Sequence, residues 1–149
     1  GIKNIKFMVM GDGPLKEKFE KYAREKNIYY HFTGRLDYGK MVGILAVCDI
    51  AVNPITKGAA QSIINKHSDY AAAGMPVLNT QESEEYRDLV DEYKIGLNCK
   101  NSNPEDLANN ILKLYNNENM RKEMGENSRR LAEKRFDREK TYEEIFRLF

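Results

Sequence analysis

No stretch of this sequence is long and apolar enough to cross a bilayer. The longest apolar run, MVGILAVC (Met41–Cys48), falls far short of the roughly 20 residues that a spanning helix needs. A dominant charge sign is also missing: 24 lysines and arginines face 23 aspartates and glutamates, giving a net charge of +1. No global field draws such a chain to nucleic acid or to an anionic membrane. Cysteine is scarce. Cys48 and Cys99 sit in apolar contexts without CxxC or metal spacing, which reads as two buried thiols in a reducing compartment. Histidine is as scarce. His31 falls inside a predicted strand, as a packed or edge residue, and His67 is expected to face solvent on a helix beside Lys66. No nucleophile–base pair, metal-ligand cluster or phosphate-binding P-loop can be assembled from the sequence. Internal repeats, low-complexity tracts and linkers are absent too.

The composition is 32% charged and 41% hydrophobic, which reads as soluble and globular. A length of 149 residues suits one domain with a core and is short for two. The opening GIKNIKFMVM has no initiator methionine and almost no lead-in before a strand, so the expectation is a domain excised from a longer chain.

Strand and helix signals alternate. Ile5–Met10 predicts a buried strand, and GDGP (Gly11–Pro14) a tight turn with Pro14 entering a helix from Leu15 to Lys26. Leu15, Phe19, Tyr22 and Ala23 mark the apolar face of that helix. Tyr29–Gly34 is the second strand, and Asp37 caps a helix to Leu45. Asp49–Pro54 is a third strand, Ile55–Ser62 a loop, and Ile63–Ala73 a helix ended by Gly74. Pro76–Thr80 and Ile95–Cys99 are further strands around a helix at Glu84–Glu92. Asn103 and Pro104 then open a helix to Tyr115, Asn119 starts another to Arg135, and Asp137 caps a last one to Phe149. This alternation predicts an α/β fold: an open, parallel, Rossmann-like sheet of five or more strands, helices on both faces and a helical C-terminal tail. Ligands in such folds bind beyond the carboxyl ends of the strands. GDGP, TGR, NPITKGAAQS and NTQES all lie there.

In GDGP, Gly11 and Gly13 flank Asp12 between strand and helix, where bare backbone can approach a phosphate or sugar. Arg35, after Gly34, has the reach to contact a phosphate or stack on a base. The most informative stretch is SIINKHSDYAAAGMPV (Ser62–Val77). Asn65, Lys66 and Asp69 share one region of its helix. Lys66 near the positive end of a helix is unfavourable unless an anion binds there. Asp69, one turn on, is placed to accept from a ribose hydroxyl pair.

The order of these motifs resembles the C-terminal domain of GT-B fold retaining glycosyltransferases over about the whole chain. GDGPLKEKFEKYA, FTGRL, CDIAVNP, SIINKHSDYAAAGMPVLNT, IGLNC and NPEDLANNILKL carry the resemblance, and FDREKTYEEIFRLF is similar to the family's last helix. Asn65 and Lys66 resemble the subgroup of capsule, O-antigen and lipopolysaccharide assembly. The resemblance implies a bacterial, hexosyltransferase-type enzyme with a nucleotide-diphosphate sugar as donor substrate and no cofactor or metal. Lys66 would be the catalytic residue near the diphosphate. Gly11, Asp12, Gly13, Gly34, Arg35, Gln61, Ser62, Asn65 and Asp69 would form the donor set, with the FTGR loop on the base and Asp69 on the ribose. Gln61 and Asp69 stand where many relatives carry two glutamates eight positions apart. The family's first strand of this domain and the acceptor-binding N-terminal domain would precede residue 1. That domain of the same chain is the implied partner, with a saccharide or lipid-linked acceptor and no nucleic acid. The domain alone is expected to be inactive. The implied location is the cytoplasm, peripheral to the inner face of the plasma membrane through the N-terminal domain.

Two other readings compete. A non-catalytic phospho-signalling receiver shares the alternation, with Asp12, Thr80 and Lys100 near its key positions, but it needs an aspartate at the end of the third strand, where Asn53 and Pro54 stand. A sugar-nucleotide epimerase of similar fold needs catalytic carboxylates and a histidine that find no place here.

Overall fold

The computed structural model describes residues 4–59 and 62–147. The chain divides into two compact units, residues 1–44 and 45–149. In the first, β1 (Phe7–Met10) and β2 (Tyr30–Gly34) pair in parallel, with Phe7 opposite Tyr30 and Met10 opposite Gly34. α1 (Lys16–Glu25) connects them, and α2 (Tyr38–Leu45) follows β2. Asp37 caps α2 as expected, its carboxylate accepting from the Lys40 N–H at 2.9 Å.

In the second unit, β3 (Ala51–Asn53), α3 (Asn65–Ala72), β4 (Val77–Asn79), α4 (Glu84–Glu92) and β5 (Gly96–Asn98) alternate. The three strands are parallel in the order β3-β4-β5. β4 lies between two neighbours, and each of its residues is buried. Leu78 and Cys99 meet Leu114 of α5 (Pro104–Tyr115), with Val52, Leu97, Ile111 and Met124 packed around them. α6 (Glu118–Leu131), a π-helical turn (Ala132–Phe136) and α7 (Arg138–Phe146) complete the chain.

Local chemistry explains the ends. α3 closes with Gly74 at φ 67°, its N–H reaching the Ala71 carbonyl and the Met75 N–H reaching Tyr70. Arg129 of α6 donates to the Ala72 carbonyl at 2.7 Å, a cation on the negative end of α3. α5 opens on Asn103, whose side chain accepts from the Asp106 N–H, with Pro104 at the first helical position.

The structure corrects several expectations. Five strands form among the described residues, but the ladders draw a two-stranded and a three-stranded sheet where the alternation predicts one. Alternation fixes strand count and parallelism, not which edges bond. The first strand is not buried: Phe7 and Val9, on one face, are 41% and 39% exposed. On α1 only Ala23 is buried, while Leu15, Phe19 and Tyr22 stay exposed. A two-stranded unit has too little surface to cover that stripe. Cys99 is buried, but Cys48 is only half-buried in the short segment after α2. The helix at Ile63 begins at Asn65, and the one at Asn119 begins at Glu118, capped by the Asn117 side chain. That helix ends at Leu131, where the π-helical turn takes over. Asp137 does accept from the Glu139 N–H, but α7 ends at Phe146, and residues 148–149 lie outside the described residues.

Candidate functional site

The carboxyl ends of β1 and β2 meet in the first unit. The Gly11 N–H donates to the Gly34 carbonyl at 3.0 Å, which brings the GDGP turn beside the TGR turn. Gly11 has φ 147° and Gly34 φ 70°, backbone that side chains rarely adopt. The Asp12 carboxylate accepts from the Gly13 N–H at 3.0 Å and stiffens the turn. A Cβ added at Gly11 or Gly13 would meet nothing within 4 Å, so the space before this backbone is open. Arg35 is exposed immediately after β2. Gly11, Asp12, Gly13, Gly34 and Arg35 therefore gather at one end of one small sheet.

In the second unit, the chain leaves β3 at Pro54 and enters α3 at Asn65. Ser62 is exposed before the helix, and Gln61 lies outside the described residues. Ile64 precedes the first turn in extended conformation, and no side chain among the described residues caps that turn. No acidic residue stands in it. Asn65 and Lys66 are exposed there, while Asp69 is half-buried one turn on. A cation thus sits at the positive end of a helix, an arrangement that favours an anionic ligand.

His67 departs from expectation. It is fully buried and lies flat on the Tyr86 ring. Its Nε2 is 2.8 Å from Gln81 Oε1, and Gln81 Nε2 donates to the Ser62 carbonyl at 2.6 Å. A carbonyl cannot donate, so Ser62 fixes the orientation of the amide. The amide oxygen in turn requires the proton on His67 Nε2. His67 Nδ1 is then a bare acceptor, buried and without a hydrogen-bond partner among the described residues. Burial is the largest influence on this imidazole and pulls it below the usual histidine range; the Gln81 bond opposes this, and the Lys66 charge adds to it. Solvent was expected here because of the charged neighbours, but on a helix the adjacent residue points about 100° away.

A polar row missed by the sequence reading closes the same end of the sheet. Asn53, Asn79 and Asn98 end β3, β4 and β5 and stand opposite one another in register. Asn79 Nδ2 donates to Asn98 Oδ1 at 2.8 Å, and Asn79 Oδ1 accepts from the Gln81 N–H at 2.9 Å. The Thr80 hydroxyl accepts from the Ile55 N–H and donates to the Asn53 carbonyl, so it is engaged in holding the loop after β3. Asn101 Nδ2 ties that loop and the Thr80 carbonyl together. The signal was visible as three short apolar runs, AVN, VLN and GLN, each ending in asparagine.

Backbone turns lie at the strand ends of each unit, and in the second an exposed lysine, Lys66, opens α3. Residues 2–131 match the sequence model of the family described as Glycosyl transferases group 1. The chain belongs to that family. A group 1 chain built this way has a curated relative in an uncharacterized glycosyltransferase of Methanocaldococcus jannaschii, 30% identical over 137 residues, covering 89% of this chain and 38% of that protein. Among solved structures, Anabaena HepE in complex with UDP superposes with a TM-score of 0.78 at 18% identity, over 99% of this chain and 41% of that one. WaaG, a glycosyltransferase involved in lipopolysaccharide biosynthesis, superposes with a TM-score of 0.71 at 22% identity, over 85% of this chain and 33% of that one. These likenesses give the group 1 chain its α/β, Rossmann-like GT-B relationship. It spans well under half of each of these proteins. Among the described residues, no helix is long and apolar enough to cross a membrane.

Proposed function

We propose that this chain binds a nucleotide-diphosphate sugar and is the donor-binding C-terminal half of a two-domain retaining glycosyltransferase of hexosyl type. The carrying observation is the start of α3: without a side-chain cap among the described residues, free of acid in its first turn, and presenting Lys66 to solvent beyond the carboxyl ends of β3 and β4. Lys66 and the first-turn N–H groups stabilise the departing diphosphate, an electrostatic role that needs no metal. Asp69 accepts from the ribose hydroxyls, and Ser62 and Asn65 flank the phosphates. Gln61 belongs to the same donor set, at the position where many relatives carry a carboxylate. Within the first unit, the open backbone at Gly11, Asp12 and Gly13, with Gly34 and Arg35, is suited to a phosphate or sugar.

The partner is an N-terminal domain of the same chain that binds a saccharide or lipid-linked acceptor. The share of its relatives that the chain spans fits that division. WaaG, a glycosyltransferase involved in lipopolysaccharide biosynthesis, supports an acceptor of that kind for this chain. HepE, in complex with UDP, supports UDP as the first nucleotide to test.

Titration of the chain with UDP, GDP and pyrophosphate, followed by amide NMR, tests the reading. Perturbation of Asn65, Lys66 and Asp69 is expected. Absence of any shift at ligand concentrations of about 1 mM, the weak end of ordinary affinities, would count against a donor site in this chain.

A further inference from the structure

We propose that Gln81 is a positioning residue: its side-chain amide, held between the Ser62 carbonyl and the His67 ring, sets the first turn of α3 for the diphosphate without touching the ligand. This rests on the donor-site reading of α3. Gln81 is fully buried, so contact with a ligand in solvent is closed to it. Its Nε2 holds the Ser62 carbonyl at 2.6 Å, three residues before α3. Its Oε1 lies 2.8 Å from Nε2 of His67, the third residue of α3. These two anchors bracket residues 63–66, which include Asn65 and Lys66. With His67 pinned inward, Lys66 is turned outward by the helical step.

The clamp is itself held. The Gln81 N–H donates to Asn79 Oδ1, and the Gln81 carbonyl accepts from Asn79 Nδ2 and from Arg87 Nη1, both at 3.3 Å. The His67 ring rests on Tyr86, with centroids 3.5 Å apart. The amide therefore has one usable orientation, and the polar end of β4 dictates where α3 begins. A group locked from behind in this way fixes geometry better than a loop residue would.

The test uses the chain itself with UDP, inorganic pyrophosphate and uridine as probes. In the wild type, long-range proton–nitrogen spectra of the His67 ring should show Nε2 protonated and Nδ1 bare at neutral pH; the opposite tautomer overturns the clamp. Gln81→Glu keeps an acceptor for His67 but, when ionised, loses the donor to Ser62. It should move the amide signals of residues 62–67 while leaving those of α5 and α6 in place. It should weaken UDP and pyrophosphate alike by roughly tenfold, the loss of about one charge-supporting hydrogen bond, and leave uridine unaffected. Unmoved amides at residues 62–67, or unchanged affinity for UDP and pyrophosphate, overturn the proposal. A wild type that binds neither UDP nor pyrophosphate overturns the donor reading as well, and the tautomer and amide shifts still report whether the clamp exists. Should Gln81→Glu fail to fold, the wild-type tautomer decides alone.

Discussion

His67 lies flat against Tyr86, with ring planes 17° from parallel. Tyr86 reaches it from α4, Tyr70 and Lys66 belong to its own helix, and Gln81 follows β4. None of these is an acid, so a proton added at Nδ1 finds no counter-charge among them. Burial holds the imidazole below its usual range. Below about 6.5, the ordinary histidine value, the unfolded chain takes up a proton that the native chain refuses. Stability contributed by neutral His67 is therefore full above that pH, falls as the pH drops through the window, and levels off once the native ring is protonated too. Urea unfolding from about pH 7.5 down to about pH 5 should show the wild-type midpoint falling relative to that of His67→Gln. Parallel curves would mean that the ring is not held neutral.

Lys66 separates binding from folding. Lys66→Ala removes a charge-assisted contact worth about 1.5–3 kcal/mol, so UDP and pyrophosphate should bind about ten- to a hundredfold more weakly. The melting temperature should hardly change, because a cation near a helix start contributes little to stability. Asp69→Asn should weaken UDP more than pyrophosphate. Calorimetric titration checks both, and unchanged affinities in the two variants would put the site elsewhere.

Glycine spacing on α6 gives a prediction about packing alone. A Cβ at Gly125 would come 2.5 Å from the Gly74 carbonyl oxygen, which is backbone. Gly125→Ala should destabilise by about 1–3 kcal/mol through overpacking. Gly43→Ala, where nothing lies within 4 Å, should instead stabilise α2 by about 0.5–1 kcal/mol. Thermal unfolding of the two variants in opposite directions is the expected result.

Asn79 should matter more than its size suggests. Asn79→Ala leaves the buried Gln81 N–H without its acceptor and takes a donor from Oδ1 of the half-buried Asn98. A cost of about 1–3 kcal/mol is expected for the buried group so orphaned. Asn103→Ala, at the exposed cap of α5, should cost about 1 kcal/mol. Similar urea midpoints for the two variants would contradict a structural role for the row.

Elements announced by local chemistry were legible in the sequence. Asn103 with Pro104, Gly74 after the alanine run, and Asp37 before α2 each carry a hydrogen-bonding or backbone requirement that needs no distant partner. The exposure of Phe19 and Tyr22 was not legible, because an apolar stripe does not reveal whether anything covers it. Lys66 stood out because its charge opposes its own helix. Gln81 did not: its partners Ser62 and His67 lie 19 and 14 residues away, and only the fold brings them together.

The level row of Asn53, Asn79 and Asn98 also bears on how the sheet finds its alignment. β3, β4 and β5 are three residues long, so each offers few side chains to distinguish one register from the next. Sliding β4 by one residue would set Asn53 opposite Leu78 or Thr80 and turn each side chain of β4 to the other face. The Asn79–Asn98 amide pair bonds at one height alone and marks the native alignment of β4 against β5. The loops leaving β4 and β5 then start from a common baseline.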